Sequence, residues 1–113
     1  MMYEEGNGVK RSYEEALKYF QAAAEQGDDR AQVYMGQMYY LGEGVEQSSV
    51  KALEWLEKAA ENDNPTAYFV IGYIYVNGDG VPKDEKKGIA SLKKAKDLGS
   101  EKAADLLKEL GAD

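Results

Sequence analysis

The chain has 113 residues, of which 14 are basic and 21 acidic, for a formal charge of −7; 43% are apolar, and there is neither Cys nor His. That suits one small folded domain and excludes disulfides, thiolate chemistry and imidazole as a general base or zinc ligand. A net-negative chain makes a poor partner for nucleic acid or anionic lipid, and no apolar run nears the roughly 20 residues of a membrane helix.

Residues 1–27 read as a partial first unit. Met1-Met2-Tyr3 would be the tail of a short helix stopped at Gly6, with no basic head and apolar stretch of a signal peptide. The turn Gly6-Asn7-Gly8-Val9 follows. A longer helix over Ser12–Gln26 then carries Tyr13, Ala16, Leu17, Phe20, Ala23 and Ala24 at helical spacing. Ser12 with Glu15 reads as a capping box, and Gly27 ends the helix.

Residues 28–63 form a full unit. Asp28 caps a short helix with Ala31, Met35, Met38 and Tyr39 on one face, Gly42 stops it, and Gly42-Glu43-Gly44-Val45 turns the chain. Ser48 caps the longer helix, which carries Ala52, Leu53, Leu56, Ala59 and Ala60; Asp63 stands where the other units have Gly. Residues 64–99 repeat the plan. Asn64 is the cap and Pro65 the first helical residue, Ala67, Ile71, Ile74 and Tyr75 form the stripe, Gly78-Asp79-Gly80-Val81 is the turn, and Asp84 is the next cap. Residues 100–113 hold a last short helix, about Glu101 to Leu110, with Ala103, Leu107 and Leu110 on its apolar face.

One offset of 36 relates these units: Tyr3, Tyr39 and Tyr75; Gly6, Gly42 and Gly78; Ala23, Ala59 and Ala95; Ala31, Ala67 and Ala103. A single helix hairpin cannot bury its own apolar face, whereas stacked hairpins can. The expected fold is all-α, an α-solenoid of antiparallel hairpins wound as a right-handed superhelix.

The runs Ala31-x-x-x-Met35-Gly36-x-x-Tyr39-x-x-Gly42-x-Gly44-Val45 and Ala67-x-x-x-Ile71-Gly72-x-x-Tyr75-x-x-Gly78-x-Gly80-Val81 resemble the Sel1-like repeat. Lys51-Ala52, Ala59-Ala60, Lys87-Gly88 and Ala95 extend the match. Gly88, Lys96 and Lys108 depart from it, standing where the pattern has Ala, Ala and Gly. Lys108 fits a closing helix whose outer face stays open to water. The resemblance implies a tetratricopeptide-like fold and an adaptor that holds proteins or peptides together, with no cofactor and no catalytic residue.

In such repeats the short helices line a concave surface. Position by position, the resemblance places Arg30, Val33, Gln37, Tyr40 and Leu41 in a partner-binding groove, with Thr66, Phe69, Tyr73, Val76 and Asn77 from the next unit. Lys102, Asp105 and Glu109 follow from the last. Aromatic faces, one Arg and amides suit an extended peptide.

Other chemistries fit less well. Glu14, Glu15, Glu54 and Glu57 fall on outer helix faces rather than as an acid pair. The GxGV turns follow helices and lack a P-loop Lys. Asn77 and Asp79 lack the alternating ligands of a calcium loop, so no metal site is expected, and Trp55 reads as packing. A cysteine-rich branch of the family is linked to penicillin binding, but its paired cysteines are absent here. Ser48-Ser49-Val50-Lys51 has the spacing of a Ser–Lys hydrolase pair, yet Ser48 is a helix cap and Lys51 a repeat position. Two readings stay beside the interaction scaffold: a hydrolase, and a self-assembling piece of a longer array, dimerising through an N-terminal face of Tyr13, Leu17 and Phe20.

Overall fold

A computed structural model describes residues 6–112, with side chains from Glu14 onward. Six helices follow in order: α1 (Gly6–Glu25), α2 (Asp29–Leu41), α3 (Ser49–Ala60), α4 (Pro65–Asn77), α5 (Glu85–Asp97) and α6 (Glu101–Leu110). No strand occurs among the described residues. The closest backbone packing is between helices adjacent in the chain.

The caps repeat as the sequence implies. The Asp28 carboxylate accepts from the backbone N–H groups of Arg30 and Ala31, and Asn64 and Ser100 accept from Ala67 and Ala103. Ser48 and Asp84 do the same for α3 and α5, accepting from Lys51 and Lys87. Each such bond satisfies an orphan donor and contributes about 1 kcal/mol. Between α3 and α4, Asp63 adopts a left-handed φ of 59°, where Gly27 and Gly99 end the equivalent turns.

Two expectations are corrected. The paired helices are nearly equal in length, 13 residues in α2, α4 and α5 and 12 in α3, rather than one short and one long. The second concerns the first unit. α1 begins at Gly6, so Gly6-Asn7-Gly8-Val9 is helical, not a turn, and Ser12 and Glu15 lie inside the helix rather than at its cap. The later turns are pinned by the preceding helix: Gly42 N–H donates to the Met38 carbonyl at 2.8 Å and Ser48 N–H to that of Tyr39 at 2.9 Å. In the first unit the counterparts of those carbonyls belong to residues 2 and 3, outside the described residues.

Within a unit the helices touch backbone to side chain through glycine. A methyl group on Gly36 would lie 2.6 Å from Leu56 Cγ and 3.2 Å from the Ala52 carbonyl oxygen. The α4–α5 pair is tighter, because Gly88 replaces that Ala. A methyl on Gly72 would meet Leu92 Cγ at 2.7 Å and the Gly88 oxygen at 2.8 Å. Leu56, Leu92 and Leu107 are fully buried, each removing apolar surface that stabilises by roughly 1.5–3 kcal/mol.

Neighbouring units are joined at both ends of α2. Asn64 Nδ2 donates to Asp29 Oδ2 at 2.7 Å, and the Tyr40 hydroxyl donates to Asp79 Oδ2 at 2.6 Å. Between α1 and α2 the buried Gln32 donates its amide to the Ala24 carbonyl at 3.1 Å. At the other end, Ala103 and Leu107 are buried while Lys108 is exposed.

Candidate partner-binding cleft between α2 and α4

α2 and α4 run side by side in successive units, and a cleft of about 250 Å³ opens between them. Gln37, Tyr40 and Leu41 line it from α2; Phe69, Val70 and Tyr73 line it from α4. The helical period explains the grouping. Tyr40 and Leu41 stand three and four residues after Gln37, and Tyr73 stands four and three after Phe69 and Val70, so each trio forms one face of its helix. Leu41 and Tyr73 keep 59% and 41% of their surface exposed although both are large and apolar in part. The Phe69 and Tyr73 rings stand 6.2 Å apart at 32°.

Tyr40 is half-buried, and its hydroxyl is committed to Asp79. Burial, followed by the hydrogen bond and the charge of that carboxylate, raises its pKa well above the ordinary phenol value. The hydroxyl therefore stays a protonated donor, and the ring forms a fixed wall of the cleft.

Of the residues expected in a groove, the structure brings together Gln37, Tyr40, Leu41, Phe69 and Tyr73. Val70 was missed, because an apolar residue one position past the stripe reads as core. Val33 and Val76 are corrected. They are only 7% and 6% exposed, Val33 packed in the core cluster of α2, α3 and α4 and Val76 in that of α4, α5 and α6. The missing side chain of Gly88 explains Val76, which fills the space: a methyl on Gly88 would come within 2.5 Å of Val76 Cγ2.

The polar candidates lie elsewhere. The Asn77 amide donates to the Tyr73 carbonyl of its own helix at 3.0 Å. Thr66 and Lys102 are exposed outside the cleft, as are Asp105 and Glu109. Arg30 lines a different recess, of about 230 Å³, with Tyr19, Phe20 and Tyr34. There the Phe20 and Tyr34 rings stack at 4.4 Å, leaving Tyr34 51% and Tyr19 70% exposed. Leu17 and Phe20 are half-buried against Ala24, Ala31 and Met35, a less open face than the sequence suggested; the Tyr13 side chain lies outside those described.

The Ser–Lys spacing has a structural use. Ser48 Oγ accepts from Lys51 N–H as the α3 cap, and the Lys51 ammonium lies 5.6 Å from the centre of the Tyr39 ring. The next unit repeats this, with Lys87 at 4.6 Å from the Tyr75 ring. Among the described residues no group of three His, Cys, Asp or Glu side chains is placed to hold a metal ion, and no helix is long and apolar enough to cross a membrane.

The Sel1 repeat profile matches residues 1–28, 29–64 and 65–100. The chain belongs to the Sel1 repeat family. A solved Sel1 repeat protein from Oxalobacter formigenes is 34% identical over 80% of this chain and 36% of its own, with a TM-score of 0.73. A protective antigen of uropathogenic Escherichia coli strains, described as displaying an SLR fold, is 41% identical over 90% of this chain and 22% of its own, with a TM-score of 0.79. The cysteine-rich protein B of Helicobacter pylori is 30% identical over 80% of this chain and 68% of its own, with a TM-score of 0.74. The chain thus spans well under half the length of the first two. No curated protein sequence matches it. Sel1 repeat proteins are generally protein-interaction scaffolds, and the all-α repeat fold is shared with these relatives.

Proposed function

We propose that the chain is a non-catalytic interaction module that docks a peptide or protein partner in the cleft between α2 and α4, on the concave side of a right-handed solenoid. One observation carries the reading: Leu41, Phe69, Val70 and Tyr73 present apolar and aromatic surface in a concavity that the chain itself leaves unfilled. Aromatic side chains in such recesses anchor partners. Arg30 of α2, Thr66 and Asn77 of α4 and Lys102 of α6 extend the contact beyond it. The absence of Cys and His and the use of Ser48 as a cap support a role without catalysis.

The test compares partner capture by the wild type, Tyr73→Ala, Phe69→Ala and Glu54→Ala, with helicity followed by circular dichroism. The two cleft variants should stay folded and each weaken binding by about 1–2 kcal/mol. Glu54, exposed on α3, should tolerate the change. Capture lost through Glu54→Ala but kept in Tyr73→Ala would move the binding surface to the other side of the molecule.

A second reading has its own observation. The exposed Tyr34 and Tyr19 beside the stacked Phe20 form an aromatic patch at the α1 end. Such a patch marks an interaction surface, and a copy of the chain or a further repeat would cover it. Light scattering of the wild type and of Tyr34→Lys tests this: a monomer at every concentration in both removes self-pairing.

A further inference from the structure

We infer that the α2–α4 cleft selects an extended peptide in which one large apolar side chain lies within two positions of a Lys or Arg, the apolar group entering among Tyr40, Phe69 and Tyr73 and the cation meeting Asp79. The inference rests on the proposed interaction role and names the chemistry of its ligand.

The size of the cleft sets the first half. At about 250 Å³ it falls just short of the roughly 300–1,000 Å³ of sites that swallow a drug-sized molecule. It holds one large side chain with its backbone rather than a cofactor. Its walls offer little hydrogen bonding. The Tyr40 proton is already given to Asp79, and burial and the carboxylate together hold it there. A polar side chain entering the cleft would lose water and gain little in return, which disfavours it. An aliphatic or aromatic one loses nothing of the kind.

Asp79 sets the second half. It sits in the turn after α4 and accepts the hydroxyl proton of Tyr40 at 2.6 Å, so its carboxylate stands behind a residue of the cleft wall rather than in the lining itself. The Tyr40 bond is to Oδ2 alone, and Asp79 is exposed, so the carboxylate keeps accepting capacity for a cation. The half-exposed Tyr73 ring in the cleft adds a π face of the kind that Lys51 and Lys87 already use on Tyr39 and Tyr75. A carboxylate and a ring face together attract a cation and repel an acid. The formal charge of −7 acts in the same direction at longer range. Neither Arg30 nor Lys102, which extend the contact further along the chain, lines the cleft itself.

The experiment selects displayed random dodecapeptides on the whole chain, with Tyr73→Ala/Phe69→Ala as a counter-target. Selected peptides are then measured by fluorescence anisotropy against the wild type and Asp79→Asn. The Asn amide still accepts the Tyr40 hydrogen bond, so the variant removes charge and keeps the wall. The expected result is peptides lost on the counter-target, with Lys or Arg within two positions of a large apolar residue. Their affinity should fall up to about fivefold in Asp79→Asn, and the difference should shrink in high salt. Peptides lost on the counter-target but without a basic preference, and indifferent to Asp79→Asn, overturn this inference while leaving the interaction role standing. Selection of no peptide, or of peptides that bind the counter-target equally, overturns both.

Discussion

A methyl group added at Gly72 would press on Leu92 Cγ and on the Gly88 backbone oxygen, and the backbone has no rotamer into which to retreat. At Gly36 the tightest neighbours are atoms of the Leu56 side chain, and the carbonyl stands off at 3.2 Å. Gly72→Ala should therefore destabilise by about 1–3 kcal/mol, and Gly36→Ala by less. Urea denaturation of both variants checks the order; an equal loss would mean that α4 and α5 separate as easily as α2 and α3. Tyr40 supplies a second test at this scale. Its pKa is raised in the fold above the usual value near 10. A raised phenol pKa means that the folded state holds its proton more tightly. The associated stability is fully present below pH 10 and is lost as the unfolded chain, then the folded one, ionises. The urea midpoint of the wild type should thus fall more steeply above pH 10 than that of Tyr40→Phe. Parallel curves would show that Asp79 does not hold the hydroxyl.

Elements inherit their limits from such residues, and here the sequence was largely legible. Five caps stand where Asp28, Ser48, Asn64, Asp84 and Ser100 stand, because an N-cap is a local bond between a side chain and a donor two or three residues on. The start of α1 was not legible in the same way. The glycines that turn the chain at 42 and 78 do so against a preceding helix, and the pattern Gly6-Asn7-Gly8-Val9 alone does not say whether that helix is there. The cleft was readable where aromatic or amide side chains pointed away from the apolar stripe, as at Gln37, Tyr40, Phe69 and Tyr73. It was misread at Val33 and Val76, whose burial is set by how far a neighbouring helix advances, a distance that sequence spacing does not carry. Among the caps, Asn64 does two things, closing α4 and bonding to Asp29 at the head of α2. Asn64→Ala should therefore cost about 1–2 kcal/mol and exceed Ser100→Ala, which loses a cap alone. Thermal denaturation of the pair decides it, and equal shifts would mean that the Asp29 contact contributes nothing.

Across the whole molecule, burial is greatest where a unit has neighbours on both sides. α3 and α4 share the largest core cluster, with Leu56, Ala59, Ala67 and Ile74 all at 0% exposure. Among the described side chains, α1 packs through a smaller cluster around Ala24 and Met35. In stacked repeats stability is close to a sum of unit and interface terms. Amide hydrogen exchange should accordingly be slowest in α3 and α4 and faster in α1, with α1 opening without global unfolding. Uniform protection across all six helices would refute that gradient. The same neighbour-only packing also bears on how the chain finds its fold. Among the described residues the longest-range side-chain hydrogen bond, Tyr40 to Asp79, links positions only 39 apart, and the closest helix pairs follow one another directly in the chain. Among the described residues the main helix pairings all join segments close in the chain, so contact order is low. Folding then proceeds as a zipper from whichever hairpin forms first, on the microsecond-to-millisecond scale usual for helical topologies.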